Sequence, residues 1–269
     1  MSDGPDGNLL EAVTEVAQLA GQVALGYFRS RIDVEIKGDG SPVTIADRAA
    51  EQVARKWIID RFPGDGVLGE ELGAVNEGAR RRWLLDPIDG TKTFVRGVPL
   101  WGTLVAVVED EHVLAGAIFC PAVDEMVAAA PGRGCWWNGA RCTVSSVGEL
   151  SRATVLVTDD RFSRSEDRRA RWTTLAGRAA VARTWGDCYG YLLLATGRAE
   201  VMADDRMAPW DAAALEPVIV EAGGVFTDWT GRPTAFGGDV IATNARLAAE
   251  TRAILGALPA EAAIGVGHA

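Results

Sequence analysis

Histidine is scarce in this sequence of 269 residues, which contains only His112 and His268. A histidine that acts as general base or nucleophile must stand beside a second reacting group. His112 follows acidic residues in a predicted turn, and His268 lies in the last residues of the chain. The sequence therefore gives little support to a Ser–His–Asp triad or to a histidine nucleophile.

Cysteine is also sparse, and the four cysteines match no metal-binding spacing. They are Cys120, Cys135, Cys142 and Cys188. Cys135 and Cys142 are near enough in sequence to pair, but scattered cysteines in a chain of this length are more often free thiols in a reducing cytosol. We therefore expect free thiols and a cytoplasmic protein.

Positive charge and long apolar runs are lacking as well. Lysine and arginine number 27 against 37 acidic residues, a net charge of -10. A nucleic-acid partner requires a cationic surface, so this balance argues against one. A small phosphorylated substrate remains compatible, because a bound metal ion reverses the local charge. No uncharged apolar run reaches the roughly 18 residues of a membrane helix, and the acidic start lacks the features of a signal peptide.

The first half of the chain, about residues 1–150, predicts helices packed on a mainly antiparallel sheet. Apolar spacing of three and four residues predicts a helix over 9–28. Thr44 is a good N-cap for a second helix that reaches about Phe62, after a turn at 37–43. Short apolar runs between 83 and 126 predict strands, and residues 132–139 predict a turn followed by an edge strand.

The second half, about residues 151–269, alternates strand and helix patterns, which is typical of α/β structure. Strands are expected at 153–158, 199–204, 224–228 and 239–244, and helices at 164–178, 188–197, 210–222 and after Asn244. No low-complexity linker separates the halves. We expect residues 1–269 to form a single domain with a cleft where the halves meet.

Carboxylates collect at the predicted ends of these elements. Glu70 and Glu71 follow one strand-like run, Asp86 and Asp89 follow the next in "LLDPIDGT", and Asp211 begins a helix. An unpaired acid is costly to bury. Carboxylates, a backbone carbonyl and waters are the ligands that Mg2+ prefers. The pattern therefore predicts a magnesium site.

The turn in "DPIDGT" supplies the rest of a phosphate site. Its proline restricts the chain so that Asp86 and Asp89 aim at one point, with the Ile88 carbonyl between them. Gly90 and Thr91 begin a helix whose N–H groups face an anion. Two metal ions about 3.5–4 Å apart can clamp the attacking and leaving oxygens of an in-line displacement.

Each acid also has an ordinary structural interpretation. Asp47 completes a capping box with Thr44, and Asp211 suits the start of a helix. The two aspartates of "DPID" fit a tight turn, and the glutamates of "GEE" fit a solvated loop. Without a metal site, all of these separate interpretations must hold at once. A single metal site explains the whole pattern and is therefore favoured.

Four motifs occur in a fixed order: "GSPVTIAD" (40–47), "GEE" (69–71), "DPIDGT" (86–91) and "WDAAALEPVIVEAGG" (210–224). With them the chain resembles the inositol monophosphatase family of Mg2+-dependent, lithium-sensitive phosphomonoesterases. The resemblance implies an α/β (α+β) fold, a layered αβαβα sandwich of the inositol monophosphatase and fructose-1,6-bisphosphatase type. It also implies a homodimer and a hydrolase that forms no covalent phosphoenzyme.

The resemblance further implies roles for individual residues. The first Mg2+ is held by Glu70, Asp86 and the Ile88 carbonyl, and the second by Asp86, Asp89 and Asp211. A third, weaker ion is placed through waters by Asp47 with Glu70, and Mn2+ is expected to substitute for Mg2+. Glu70 and Thr91 orient the attacking water, so the catalytic residues are Glu70, Thr91 and Asp47. The phosphate is bound by Gly90 and Thr91, beside Asp89 and Asp211.

The substrate-selective positions of that family fall here on Gly186, Asp187, Cys188 and Asp204. Two further carboxylates suit an amine or imidazolium through charge-assisted hydrogen bonds. "FVRGVP" with Trp101, and "GD" at 186–187, are similar to the histidinol-phosphate phosphatases of the family. We therefore expect histidinol phosphate as substrate and a role in histidine biosynthesis. Inositol 1-phosphate and fructose 1,6-bisphosphate are the alternatives.

Several other residues have two interpretations. Lys37, near the first motif, fits a contact with the waters of the metal site, although a surface lysine is the preferred interpretation. Arg96 fits a phosphate contact and a loop salt bridge equally well. The pair Trp136–Trp137 favours edge-strand packing over a ligand platform. A non-catalytic phosphate- or metal-binding protein on the same fold is disfavoured, because Thr91 and every metal-site acid are present.

Overall fold

The computed structural model describes residues 9–38, 40–163 and 165–257. Its helices are α1 (Leu9–Tyr27), α2 (Ile45–Arg61), α3 (Thr91–Phe94), α4 (Glu166–Arg178), α5 (Asp187–Ala195), α6 (Pro209–Ala212), α7 (Leu215–Glu221) and α8 (Ala248–Leu255). The strands of the first half are β1 (Val34–Ile36), β2 (Pro42–Thr44), β3 (Gly66–Gly69), β4 (Gly73–Val75), β5 (Arg81–Asp89), β6 (Gly102–Glu109), β7 (His112–Cys120), β8 (Glu125–Ala130), β9 (Gly134–Trp137) and β10 (Ala140–Arg141). Those of the second half are β11 (Thr154–Leu156), β12 (Val181–Arg183), β13 (Val201–Asp204), β14 (Gly224–Thr227) and β15 (Val240–Asn244).

The larger sheet has the strand order β10-β9-β8-β7-β6-β5-β3-β4. Its neighbours are antiparallel except for the parallel pair β3–β5. Side chains alternate between its faces, as strand geometry requires. Trp83 and Leu85 of β5 join the core formed with α1 and α2, whereas Leu84 between them joins the core on the opposite face. This alternation buries both faces of the sheet.

The smaller sheet has the order β12-β11-β13-β15-β14, and β11 runs parallel to both of its neighbours. Leu192 of α5 and Leu215 of α7 share one core with Met202 of β13 and with the larger sheet. The outer face of the smaller sheet packs with α4 and α8 through residues such as Trp172 and Leu255. The layers therefore follow the predicted αβαβα order.

The segment 210–222 differs from the single predicted helix, because it forms α6 and α7 with residues 213–214 between them. Pro217 has no N–H and cannot donate to the carbonyl of Ala213, which weakens the helix at that point. The break leaves α6 as a separate short helix that presents Asp211 at its third residue.

Strand β5 also differs, since it continues past Asp86 to Asp89. The pairing with β6 shifts register between these two aspartates, a bulge that accommodates Pro87 within the strand. The Thr103 hydroxyl donates to the Pro87 carbonyl at 2.8 Å and fixes the bulge. The two aspartates therefore project from an irregular strand end rather than from a loop.

Two smaller predictions are wrong. The segment 132–139 contains β9, but the edge of the sheet is the following short strand β10. The segment 37–43 is not only a turn, because Pro42–Thr44 pairs with Val34–Ile36 as β2 with β1. Strands this short lack the alternation that identifies longer strands from sequence. The predicted tail position of His268 lies outside the described residues.

None of the helices in the described segments combines the length and hydropathy needed to cross a membrane.

Candidate active site

A cavity of about 650 Å³ opens between the end of β5 and the starts of α5 and α6. Both halves of the chain line it. The lining residues are Gly40, Ser41, Pro42, Glu70, Asp86, Ile88, Asp89, Gly90, Thr91, Lys92, Thr93, Thr158, Asp159, Arg161, Phe162, Ser163, Asp187, Asp204, Asp205, Arg206 and Asp211. Eight of them are acidic and three are basic, so the wall is predominantly negative.

The bulge of β5 presents two carboxylates and a carbonyl to this cavity. Asp86 is 3% exposed, and its Oδ1 accepts the Ile88 N–H at 2.9 Å. The Ile88 carbonyl accepts the Thr91 hydroxyl at 3.0 Å. Asp89 Oδ2 accepts the N–H of Cys188 at the start of α5. Each group keeps an oxygen lone pair for a ligand while the backbone holds it in place.

Gly90 makes the sharp connection between β5 and α3. Its φ is +88°, a left-handed conformation that suits glycine. A Cβ atom at this position would lie 2.9 Å from Asp187 Oδ2. The absence of a side chain therefore lets the second half of the chain approach the end of β5.

Asp47 completes the capping box predicted from the sequence, and it also contacts Thr91 of the cavity wall. It caps α2, because its Oδ2 accepts the Thr44 N–H at 2.8 Å and the Thr44 hydroxyl at 2.6 Å. Its Oδ1 lies 3.4 Å from the Thr91 hydroxyl. Asp47 is 1% exposed and does not line the cavity, so it contacts the site from behind Thr91.

Lys37 is not the surface lysine that was preferred from the sequence. Its Nζ lies 2.7 Å from Glu70 Oε1 and 2.5 Å from Glu71 Oε1. Burial opposes the charge of Lys37, but the hydrogen bonds to both glutamates prevail and raise its pKa. Burial raises the pKa of Glu71 to about 7 despite the contact with Lys37.

Burial and mutual repulsion dominate the electrostatics of the aspartates. Burial raises the pKa of Asp86 well above its usual range, and Glu70, Asp89 and Asp211 raise it further. The pKa of Asp89 is raised in the same way. Burial raises the pKa of Asp211 to about 7, although its Oδ2 accepts the Ala208 N–H at 2.8 Å. A bound cation would offset the burial and mutual repulsion of these acids by favouring their charged forms.

The oxygen atoms that these residues offer are the type of ligand that a hard divalent cation binds. Glu70, Asp86, Asp89 and Asp211 offer carboxylate oxygens, and Ile88 offers a carbonyl, which is the ligand class of Mg2+. Within the described residues, no three acidic, histidine or cysteine side chains converge tightly enough to grip an ion as they stand. Coordination would therefore require these side chains to draw closer together than they are in this structure.

The wall opposite β5 contains the predicted substrate-selective acids. Asp187 has a φ of +50°, and its N–H donates to the Thr158 hydroxyl at 2.8 Å. Burial, followed by the charge of Asp204, raises the pKa of Asp187 to about 6. Asp204 accepts the Thr158 N–H at 3.0 Å and the Tyr191 hydroxyl at 2.9 Å. Asp187 is therefore the less constrained acid of the two.

The remaining predicted selective residues lie outside the cavity lining. Gly186 is packed so closely that a Cβ would lie 2.3 Å from Thr158 Cα. Cys188 is fully buried, with its thiol beside Cys120, and both its N–H and its thiol lie beside Asp89. Neither residue presents a side chain to the cavity.

The residues with two interpretations also lie away from the lining. Arg96 is exposed on the segment after α3. Trp101 is fully buried, with its ring 4.8 Å from that of Phe94. Trp136 lies on β9 beneath the guanidinium of Arg141. The four cysteines are free thiols, as expected.

Sequence reasoning missed several residues of the cavity wall. Thr158 contacts both Asp187 and Asp204, and only its place at the end of an apolar run marked it. Lys92, Arg161 and Arg206 supply positive charge to the lining. Asp205 also lines the cavity, and its Oδ2 is enclosed without a hydrogen-bond partner.

Comparisons with known proteins point to one family. A profile described as "Inositol monophosphatase family" matches residues 7–261. The histidinol-phosphatase of Chlorobaculum parvum is 41% identical over 88% of this chain and 92% of that protein. The histidinol-phosphatase of Mycobacterium tuberculosis is 39% identical, with the same coverage of 88% and 92%.

Two further matches have names other than histidinol-phosphatase. A protein of Aquifex aeolicus named fructose-1,6-bisphosphatase/inositol-1-monophosphatase is 31% identical over 87% of this chain and 90% of its own length. The solved structure of an inositol monophosphatase from Zymomonas mobilis superimposes with a TM-score of 0.83 at 30% identity, covering 94% of this chain and 100% of that chain. The predicted fold type is confirmed by this superposition.

Proposed function

This chain belongs to the inositol monophosphatase family, and from that premise we propose that it is a Mg2+-dependent phosphomonoesterase whose substrate is histidinol phosphate. The observation that carries the reaction class is the set of acids around one cavity. Glu70 follows β3, Asp86 and Asp89 end β5, and Asp211 lies on α6. Packing of the core does not explain why four carboxylates from three parts of the chain lie around one cavity.

In the proposed site, Mg2+ is held by Glu70, Asp86, the Ile88 carbonyl, Asp89 and Asp211. Asp47 with Glu70 places a third ion through waters, and Mn2+ is able to replace Mg2+. When bound, the ions supply Lewis acidity toward the phosphate and lower the pKa of the attacking water.

The protein groups do the rest of the work at the phosphate. The Thr91 hydroxyl stands between the Ile88 carbonyl and Asp47, at 3.0 Å and 3.4 Å. In this position Thr91 orients the attacking water together with Glu70. Gly90 and Thr91 both line the cavity at the bend before α3, where their N–H groups would bind phosphate oxygens. No nucleophilic side chain is needed.

Two observations support histidinol phosphate as the substrate. The relatives with the higher identities above carry the name histidinol-phosphatase. The wall opposite β5 is acidic, and Asp187 keeps acceptor capacity for a donor, since from the described part of the chain it accepts a side-chain hydrogen bond only from Thr93, at the long distance of 3.4 Å. An amine or imidazolium binds such a wall through charge-assisted hydrogen bonds. This reaction belongs to histidine biosynthesis.

Inositol 1-phosphate and fructose 1,6-bisphosphate are the second candidates, because the Aquifex aeolicus relative carries both names. The family resemblance also leads us to propose a homodimer in the cytoplasm. The middle layer of α5, α6 and α7, which packs with both sheets, supports a single domain.

A phosphate-release screen tests the proposal directly. The purified protein is incubated with histidinol phosphate, inositol 1-phosphate, fructose 1,6-bisphosphate and 3′-phosphoadenosine 5′-phosphate, each with Mg2+ and with a chelator. We expect Mg2+-dependent release that is fastest from histidinol phosphate and absent in Asp86→Asn. Release that persists in the chelator, or in folded Asp86→Asn, contradicts the reaction class. Faster release from a neutral sugar phosphate contradicts the substrate alone.

A further inference from the structure

One fully buried acid, Glu51 on α2, has no place in the mechanism above. It is 0% exposed and lies one helical turn after Asp47. Burying a carboxylate is costly unless its oxygens are hydrogen-bonded or paired with a charge. The identity of its partners therefore shows what this acid holds in place.

The partners of Glu51 are the backbone of the turn that carries Glu70. Glu51 Oε2 accepts the Glu71 N–H at 2.8 Å, and Oε1 accepts the Leu72 N–H at 3.1 Å. Oε1 also accepts the Arg55 Nε–H at 2.7 Å, so the charge of the acid is paired. The Arg55 guanidinium in turn donates to the Gly73 carbonyl.

This turn consists of residues 70–72, which we call the Glu70 turn. It connects β3 to β4, which pair with Gly69 opposite Gly73. Without an acceptor inside the turn, the N–H groups of Glu71 and Leu72 would lose these hydrogen bonds. Glu51 supplies that acceptor from a neighbouring helix.

The packing leaves no freedom in this contact. A Cβ atom on Gly69 would lie 2.1 Å from Glu51 Oε1, so only glycine fits beside the carboxylate. On the other side of the turn, the Glu70 N–H donates to the Leu85 carbonyl at 3.1 Å, next to Asp86. The Glu70 turn is thus fixed between α2 and β5.

Helix α2 therefore contacts two parts of the proposed metal site at once. Asp47 in its first turn reaches Thr91, and Glu51 in its second turn holds the backbone that follows Glu70. We propose that Glu51 is a positioning residue that fixes the Glu70 turn and thereby sets the affinity of the site for Mg2+. This inference rests on the proposed function, since it takes Glu70 as a ligand.

The variant that tests the inference is Glu51→Gln. It keeps the shape of the side chain but turns an NH2 group toward one of the two turn N–H donors. Loss of a partner behind a metal ligand typically weakens metal binding about 10–100-fold. We expect the Mg2+ concentration that half-saturates the protein, measured by isothermal titration calorimetry, to rise at least about tenfold.

Glu200→Gln is the matched control. Glu200 is 5% exposed and also accepts a backbone N–H, that of Thr154, together with the Ser145 hydroxyl. It lies immediately before β13 of the smaller sheet and does not line the cavity. We expect Glu200→Gln to lower the melting temperature but to leave the half-saturating Mg2+ concentration within about twofold of the unaltered protein.

Each outcome bears on a different claim. Unchanged Mg2+ affinity in folded Glu51→Gln, or an equal loss in Glu200→Gln, overturns the positioning role. Mg2+ binding by the unaltered protein without phosphate release overturns the proposed function and leaves this inference standing. No Mg2+ uptake by the unaltered protein overturns both.

A second variant and a second measurement cover the case in which Glu51→Gln does not fold. Glu51→Asp keeps the charge beside Arg55 and withdraws the oxygens from the Glu70 turn by one methylene, so it too should weaken Mg2+ binding. In the unaltered protein, the amides of Glu71 and Leu72 should exchange with solvent as slowly as those of β3. Fast exchange at these two amides contradicts the contact itself.

Discussion

The role of a single residue in this molecule can be predicted from the sequence when its partners are near in the chain. Asp86, Ile88 and Asp89 belong to one short motif, so their common direction follows from the turn. Lys37 meets Glu70 only through the folded chain, across 33 positions. Nothing in its local sequence separates it from a solvated lysine, and for that reason the preferred interpretation of Lys37 was wrong.

The substrate-selective acids show the same limit. The sequence indicated both Asp187 and Asp204 as substrate-selective acids. In the structure, the oxygens of Asp204 already accept the Thr158 N–H and the Tyr191 hydroxyl. The partners lie 46 and 13 positions away, and neither carries a motif. Asp187 is consequently the acid of the pair with capacity to bind a cationic substrate.

The first prediction concerns this residue. In Asp187→Asn, we expect kcat/KM for histidinol phosphate to fall about 10-fold or more, since a charge-assisted hydrogen bond becomes a neutral one. Inositol 1-phosphate carries no cation and should lose less than about threefold. Steady-state kinetics with both substrates measure the ratio. An equal loss for both contradicts the role of Asp187 in selection.

At the scale of elements, the strand end β5 and the start of α3 form the part of the site that the sequence described best. The apolar run, the proline and the glycine predicted a strand followed by a turn and a helix, and the helix does begin at Thr91. The bulge was not predictable, because it depends on pairing with β6 and on the hydroxyl of Thr103. Tertiary pairing, rather than local propensity, decides where this strand ends.

The second prediction tests the connection between these elements. In Gly90→Ala, the alanine must adopt a strained positive φ, and its Cβ lies against Asp187. Gly132→Ala is the matched control, since Gly132 has a φ of +73° and nothing within 4 Å. Both variants should lose about 1 kcal/mol of stability from backbone strain.

The two variants should differ in activity. We expect kcat/KM to fall at least about tenfold in Gly90→Ala, because displacement at an active site is costly, and to stay unchanged in Gly132→Ala. Urea unfolding and phosphate release measure the two effects. Equal activity in both variants would show that the approach of Asp187 to Gly90 is irrelevant to the reaction.

The whole molecule has a layered structure in which the middle helices serve both sheets. Periodicity predicted most of the helices and strands, and their αβαβα stacking followed from the family resemblance. The acidic cavity lies between the two halves of the chain, so the acids of both halves come together only in the folded protein. Its electrostatic cost is therefore a property of the assembled molecule, and it should appear in the stability of the whole fold.

The last prediction concerns this dependence of stability on pH and Mg2+. Burial raises the pKa of Asp211 to about 7 and that of Asp187 to about 6. In the unfolded chain an aspartate releases its proton near pH 3.9. Between about pH 4 and pH 7 the unfolded state therefore binds fewer protons than the folded state, and the free energy of unfolding falls as pH rises.

Mg2+ should reverse this trend, because it binds the deprotonated carboxylates of the folded protein. We expect the metal-free protein to melt at a lower temperature near pH 8 than near pH 5, and the rise caused by Mg2+ to be larger at the higher pH. Glu216 on α7, whose pKa burial raises to about 7, lies outside the cavity lining and should leave a residual slope that Mg2+ does not change. Scanning calorimetry of chelated and Mg2+-loaded protein measures both parts. An Mg2+ effect of equal size at both pH values would contradict the protonation of the cavity acids in the metal-free fold.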